Sequence, residues 1–143
     1  MSATVFLDTS VFIDALEHVS ALRLLVAAEA GTLAARSSVT VVEELWHLEL
    51  SGRVPGLEGI AARARDLLAP VLELSHGTLV RAMRLEGGRL GANDRVIAAT
   101  CFEHLIETIV SADRGFDDLP LLRRVDPRDA GAVEALLEEV RTE

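Results

Sequence analysis

TVFLDTS, at residues 4–10, contains the pattern from which the fold class follows. Thr4-Val5-Phe6-Leu7 is a short apolar run with β-branched residues, which is typical of a buried strand. Asp8-Thr9-Ser10 has the side chains that favour a helix N-terminus, and it predicts a helix beginning near Val11. A short strand that passes directly into a helix is the opening of an alternating α/β protein.

The same alternation continues along the chain. Short β-like runs are expected at 32–37, 71–74 and 108–110 and around Val125, with helical segments between them. Since strands that alternate with helices form a parallel sheet covered on both faces, we predict a three-layer α/β/α fold with four to five short parallel strands. Ligands of such sheets bind beyond the carboxyl ends of the strands, so the residues that follow each apolar run are candidates for function.

Length and composition limit the possible classes of protein. The 143 residues are 50% hydrophobic and 26% charged, which predicts one globular domain over residues 1–143. The sequence has no long apolar run and no basic leader, so we expect a cytoplasmic protein with no membrane partner. All 14 basic residues are arginine, which excludes two acid-lined α/β classes that need a lysine, receiver domains and haloacid-dehalogenase-type phosphatases. The formal net charge of −9 disfavours charge-driven binding to nucleic acid, although it leaves room for a local basic patch.

Four acidic residues stand where such a fold would place a site. Asp8 follows the first predicted strand directly, and Asp113 follows a later one across a two-residue spacer. Glu43 and Asp94 lie in the first turns of two helices, where the helix dipole favours negative charge. Each acid alone has an ordinary explanation as a turn, cap or surface residue. Together they would repel one another without a cation, and oxygen ligands without Cys or His suit Mg²⁺ or Mn²⁺.

Four short motifs carry a resemblance to a known family. They are LDTSVFID at 7–14, SVTVVE at 38–43, DRVIAAT at 94–100 and VSADRGF at 110–116. In this order they resemble the motifs of PIN-domain ribonucleases. The length of the chain is similar to that of the VapC-type toxins of type II toxin–antitoxin systems.

The resemblance implies a metal-dependent endoribonuclease that cuts RNA phosphodiester bonds with Mg²⁺ or Mn²⁺. Glu44 adjoins Glu43, and the helix register could select either, but the Thr-x-x-Glu spacing from Thr40 favours Glu43. The implied catalytic residues are Asp8, Glu43, Asp94 and Asp113. Of these, the implied metal ligands are Asp8, Asp94 and Asp113. The implied supporting residues are Ser111, Asp117 and Thr9.

RNA must still reach an acidic site. Several arginines lie close to the Asp94 helix or beside Asp113, and we expect them to contact phosphates. These arginines are Arg84, Arg89, Arg95 and Arg114. The alternative explanation for each one is a solvated arginine on the surface.

Partners follow partly from the sequence and partly from the resemblance. Trp46, Leu48 and Leu50 give the helix after Glu43 an apolar surface that either packs in the core or receives a partner helix. The resemblance implies a VapB-like antitoxin protein as that partner, together with a homodimer. The main alternative function is a catalytically inactive PIN-like scaffold that binds RNA or a protein partner, and metal binding separates the two.

Overall fold

The computed structural model describes residues 3–86 and 88–141. At its centre is one sheet of four parallel strands, in the spatial order β2-β1-β3-β4. The strands are β1 (Val5–Leu7), β2 (Ala35–Arg36), β3 (Thr108–Val110) and β4 (Arg123–Val125). The α-helices of the described residues are α1 (Thr9–Asp14), α2 (Val19–Glu29), α3 (Val39–Ser51), α4 (Ile60–Leu67), α5 (His76–Met83), α6 (Ala92–Glu103) and α7 (Ala130–Arg141). A 3-10 helix (Arg114–Asp118) lies between β3 and β4.

Helices cover both faces of this sheet. All three side chains of β1 and all three of β3 are buried. Since successive side chains of a strand point to opposite faces, complete burial requires cover on both sides. The predicted α/β fold class, with four to five short parallel strands, is confirmed. Within the described part of the chain, no helix has the length and apolar character needed to span a bilayer.

The strand predicted at 71–74 is reduced to a single parallel bridge between Leu72 and Ser38. The Leu72 N–H donates to the Ser37 carbonyl, and the Val39 N–H donates to the Leu72 carbonyl, both at 2.9 Å. Pro70 has no N–H to add to this pairing, and α5 begins soon afterwards. The sheet therefore has four regular strands and only the start of a fifth.

The path of the chain creates a crevice between β1 and β3. From β1 the chain moves outward to β2, then returns through α3 to α6 and enters β3 on the other side of β1. A reversal of strand order of this kind leaves a crevice at the carboxyl ends, which is where ligands bind in open α/β sheets. The register pairs Leu7 with Val110, so the residues after both strands emerge side by side.

Helix α6 delivers a further acid to the same edge. It is buried from Val96 through Cys101 and packs against α3 and α5. It begins at Ala92, with Gly91 at the N-cap position. Asp94 therefore lies in the first turn of a helix whose position is fixed by its buried length.

Gly115 lets the loop before α6 approach the segment that carries Asp113. A Cβ atom at residue 115 would lie 3.0 Å from Leu90 Cδ2, 3.1 Å from Asp113 Oδ1 and 3.3 Å from the Arg89 carbonyl oxygen.

We therefore expect Gly115→Ala to lower the free energy of unfolding by about 1–3 kcal/mol, as the overpacking of protein cores does in general. Urea denaturation measures the change. Gly88→Ala is the matched control, because a Cβ there would have no atom within 4 Å, and equal stability of the two variants would contradict the steric account.

Candidate active site

Asp8 is the most deeply buried acid at this edge, with 5% of its surface exposed. It occupies the N-cap position of α1, yet its side chain makes no capping bond. Instead, Asp8 Oδ2 accepts a hydrogen bond from Ser111 Oγ at 2.6 Å. Burial raises the pKa of Asp8; the Ser111 bond opposes that rise, and the charge of Asp113 adds to it.

Asp94 and Asp113 form a carboxyl–carboxylate pair. Asp113 precedes the 3-10 helix, and its Oδ1 accepts a hydrogen bond from the Gly115 N–H at 2.8 Å. Desolvation, the hydrogen bond to Asp113 and the charges of Asp8, Asp113 and Glu44 raise the pKa of Asp94 to about 8. The same bond lowers the pKa of Asp113. At neutral pH the two side chains therefore share one proton, with Asp94 as its donor.

Glu44, on α3, completes the group. Its Oε2 accepts a hydrogen bond from Thr9 Oγ1 at 2.9 Å, which gives Thr9 a direct contact with an acid of the site. Its Oε1 is buried and has no hydrogen-bond partner among the described residues. Burial raises the pKa of Glu44; the Thr9 bond opposes the rise, and the charges of Asp8 and Glu43 add to it. The acids that the structure brings together are Asp8, Glu44, Asp94 and Asp113.

The structure does not bring Glu43, which the spacing from Thr40 favours, into this group, and it places Glu44 there instead. The Glu43 side chain is 67% exposed, and its Oε1 lies 3.9 Å from His47 Nε2. Adjacent helix residues point about 100° apart, and the buried face of α3 is set by Val41 and Leu45. With that face against the core, Glu44 turns toward Thr9 and Glu43 turns toward the groove between α3 and α4.

The other two predicted supporting residues, Ser111 and Asp117, differ in their hydrogen-bond partners. Ser111 joins two acids, because its hydroxyl donates to Asp8 and accepts from the Asp113 N–H at 3.1 Å. Asp117 pairs with Arg124, because its carboxylate accepts two hydrogen bonds from that side chain, at 3.0 and 3.2 Å. Among the described residues, the contact that the structure gives the Asp117 side chain is therefore with an arginine and not with an acid of the group.

Two of the four arginines expected to bind RNA make contacts inside the protein. Arg89 forms a salt bridge with Asp118, with 2.7 Å between Nη2 and Oδ1. Arg95 donates to two backbone carbonyls of the loop that precedes α6. Both arginines therefore make contacts that hold that loop in place. Arg84 and Arg114 are exposed and stay candidates for contact with phosphate.

Two residues near the site were missed from the sequence. Ser10 Oγ accepts a hydrogen bond from the Ala112 N–H at 2.9 Å, and Arg124 Nη1 donates to the Ser111 carbonyl at 3.1 Å. Both hold the short loop that carries Asp113. Ser10 lies inside the motif at 7–14, but nothing in the sequence pairs it with a residue 102 positions away. Arg124 follows another arginine on a short strand, and the sequence gives no sign that its side chain is far less exposed than that of Arg123.

The donor chemistry of the site fits a hard divalent cation. The four acids supply only oxygen ligands, and one of these oxygens, Glu44 Oε1, is buried without a hydrogen-bond partner among the described residues. As they stand, residues 3–86 and 88–141 contain no ready-made group of three or more His, Cys, Asp or Glu side chains that could hold a metal ion. Because metal ligands must be deprotonated, the proton shared by Asp94 and Asp113 has to leave before these oxygens can bind one.

Two concave surfaces adjoin α3. An open cleft of about 660 Å³ runs beside the acids and is lined by Glu44, His47, Leu48 and the residues 91–94. A groove of about 510 Å³ lies between α3 and α4 and is mostly apolar, with Trp46 56% exposed along it. The cleft is lined by two of the acids, Glu44 and Asp94. The groove between α3 and α4 is lined by Glu43 instead.

The fold and the acid group together agree with the comparison to protein families. The PIN domain model matches residues 5–122. The chain belongs to the PIN-domain family, whose members are generally nucleases. No curated protein matches the chain.

Solved structures with this fold include components of toxin–antitoxin systems. A chain of a toxin–antitoxin complex from Klebsiella pneumoniae is similar at 20% identity and a TM-score of 0.63, covering 86% of this chain and 97% of that one. VapBC2 from Rickettsia felis, bound to a DNA fragment from its promoter, is similar at 17% identity and a TM-score of 0.64, with 85% and 96% covered. FitAcB from Neisseria gonorrhoeae is similar at 20% identity and a TM-score of 0.62, with 86% and 97% covered. At these identities the likeness shows a shared fold.

Crowding of the acids predicts an unusual pH dependence of stability. The pKa values of Asp8, Glu44 and Asp94 are raised in the folded state, so the folded protein binds more protons than the unfolded chain. Without metal, the free energy of unfolding should fall as pH rises from about 4, the unfolded value, toward the folded value of Asp94 near 8. We expect Asp94→Asn to reverse part of that loss and to stabilise the metal-free protein at pH 8 by on the order of 1 kcal/mol.

Urea denaturation in EDTA at pH 5 and pH 8 measures this effect. Asp66→Asn, which changes an exposed acid on α4, is the control and should behave as the wild type at both pH values. The account is contradicted if Asp94→Asn does not raise the free energy of unfolding, or raises it equally at the two pH values. Either result would show that the acids do not repel one another in the folded state.

Proposed function

We propose that this protein is a metal-dependent endoribonuclease and the toxin component of a toxin–antitoxin pair. The observation that carries the proposal is the convergence of Asp8, Glu44, Asp94 and Asp113 at the crevice between β1 and β3. Such a group is costly unless a cation neutralises it, and its raised pKa values reflect that cost. The proposal takes residues 1–143 as one PIN domain, and RNA as the substrate follows from the resemblance of the four motifs to PIN-domain ribonucleases.

Asp8, Asp94 and Asp113, together with Glu44, are the residues that would hold Mg²⁺ or Mn²⁺. When bound there, the ion supplies positive charge for the phosphoryl oxygens and lowers the pKa of a water molecule. In a chain whose basic residues are all arginine, no lysine can supply that charge.

The chain's own groups hold the acids in position for this chemistry. The Ser111 hydroxyl orients Asp8, the Thr9 hydroxyl orients Glu44, and the Gly115 N–H orients Asp113. Asp94 holds a proton on a carboxyl oxygen until it is ionised, and ionisation leaves an oxygen free to bind a cation or to accept a proton. These fixed donors lower the cost of arranging the site for reaction.

The open cleft beside the acids is the path we assign to RNA. Glu44 and Asp94 both line it, so a strand that lies in the cleft brings a phosphate to the acids. Arg114, next to Asp113, and Arg84 are exposed, and we assign them to contacts with neighbouring phosphates. Among the described residues that line the cleft, His47 is the single aromatic ring, so we expect base stacking to contribute little to binding.

An antitoxin protein and a second copy of this chain are the partners we propose, in the cytoplasm where RNA is found. The structures similar in fold include toxin–antitoxin complexes, which supports an antitoxin. The apolar groove between α3 and α4 offers an exposed Trp46 to an amphipathic segment. The homodimer follows from the family resemblance.

The catalytic assignment predicts opposite results for two adjacent glutamates. In the presence of Mg²⁺, Asp8→Asn and Glu44→Gln should each reduce the rate of RNA cleavage by at least about 100-fold, because each removes an acid that would hold the cation. Glu43→Gln is the matched control, since it changes the same helix and the same type of residue, and it should stay within about twofold of the wild type. Cleavage should stop in EDTA and return with Mg²⁺ or Mn²⁺.

Loss of cleavage in Glu43→Gln together with retention in Glu44→Gln would contradict the site. A wild-type protein that binds RNA but cleaves none with either metal would favour the alternative, a catalytically inactive PIN-like scaffold.

The partner assignment is testable through Trp46, which is the single tryptophan of the chain. An antitoxin encoded beside this chain should shift the Trp46 emission to the blue as it covers the groove, and Trp46→Ala should weaken its binding by at least about tenfold. Val19→Ala, which shortens an exposed apolar side chain on α2, is the control. Equal affinity of the two variants for the antitoxin would place its contact elsewhere.

A further inference from the structure

Strand β4 carries two consecutive arginines with different surroundings. Arg123 has a half-exposed side chain and pairs with Glu139 of α7, with 3.1 Å between Nη1 and Oε2. Arg124 has a side chain only 13% exposed and pairs with Asp117. Because side chains alternate along a strand, the two arginines share their type and their element but face opposite sides of the sheet.

The Arg124 guanidinium holds both ends of the segment that carries Asp113. One edge donates from Nη1 to the Ser111 carbonyl, at the start of this segment. The other atoms, Nε and Nη2, donate to the two carboxylate oxygens of Asp117, on the 3-10 helix that follows. Arg124 therefore spans residues 111–117, with Asp113 between its two points of contact.

Arginine is the residue type that suits this position. Its planar group donates in two fixed directions at once, whereas lysine offers a single ammonium on a flexible stem. Burial also strengthens the pair, because a nearly buried charge is poorly screened by water. The charge of Arg124 favours the ionised form of Asp113 as well, in addition to the effect of Asp94.

We propose that Arg124 is a positioning residue for Asp113, and that Asp117 is the anchor that holds Arg124. The catalytic consequence of this role rests on the proposed function, but its effect on the Asp113 segment does not. In this arrangement the arginine works through Asp113 and touches neither metal nor substrate. It supplies a fixed backbone for an acid that is itself exposed to solvent.

The test compares Arg124→Gln with Arg123→Gln, which removes a paired arginine from the same strand. Three quantities are measured: hydrogen exchange of the Ala112 and Asp113 amides, the Mn²⁺ dissociation constant by calorimetry, and kcat and KM for RNA. Arg124→Gln should speed exchange and raise the Mn²⁺ dissociation constant, each by about tenfold. It should lower kcat by about 10- to 100-fold with KM within about twofold. Arg123→Gln should match the wild type in all three, and Arg124→Lys should recover only part of the loss.

Unchanged exchange and Mn²⁺ affinity in Arg124→Gln would overturn the proposal, as would equal losses in Arg123→Gln. If Arg124→Gln does not fold, Asp117→Asn tests the same role. It keeps the Arg124 bond to the Ser111 carbonyl and weakens only the pairing of Arg124 with residue 117. An intermediate loss in Asp117→Asn supports the role, and wild-type values reject it. A wild-type protein that neither binds Mn²⁺ nor cleaves RNA would refute the proposed function, and the exchange rates alone would then decide the role of Arg124.

Discussion

The pairing of Leu7 with Val110 in neighbouring parallel strands places Asp8 against Ser111, and their 2.6 Å hydrogen bond ties the two halves of the site together. Two like charges 4 Å apart repel by about 4 kcal/mol at the effective dielectric constant of a protein surface. Surface ion pairs return only about 0–1 kcal/mol each, so they cannot offset several such repulsions. The metal-free protein reduces the repulsion by leaving a proton between Asp94 and Asp113. A divalent cation would replace that proton, which links the electrostatics of the fold to the proposed chemistry.

Arginine side chains hold the loops around the acid group in place. Arg89 and Arg95 fasten the loop before α6, and Arg124 fastens the segment that carries Asp113. Each uses two or more donors of the guanidinium, a geometry that lysine lacks. Gly115 lets these two loops approach closely, and the ion pairs then hold them. The placement of Asp94 relative to Asp113 therefore depends on residues outside this pair of acids.

The alternation of strands and helices and the positions of three acids could be predicted from the sequence, because local patterns determine them. Asp8 and Asp113 follow apolar runs, and Asp94 begins a helix that is apolar on most sides. The choice between Glu43 and Glu44 depends on the rotation of α3, which is set by how Val41 and Leu45 pack in the assembled core. The role of Asp117 likewise depends on Arg124, seven residues away on a different element. Short-range spacing identifies candidates, and long-range packing selects among them.

The central claim is that Asp8, Glu44, Asp94 and Asp113 hold a divalent cation at the crevice between β1 and β3. Crystals grown with Mn²⁺ and measured at the manganese absorption edge test it most directly. The account predicts an anomalous peak in contact with carboxylate oxygens of this group, including Glu44 and excluding Glu43. A map without a peak at this edge of the sheet, or with manganese bound by Glu43 in the groove between α3 and α4, would contradict it.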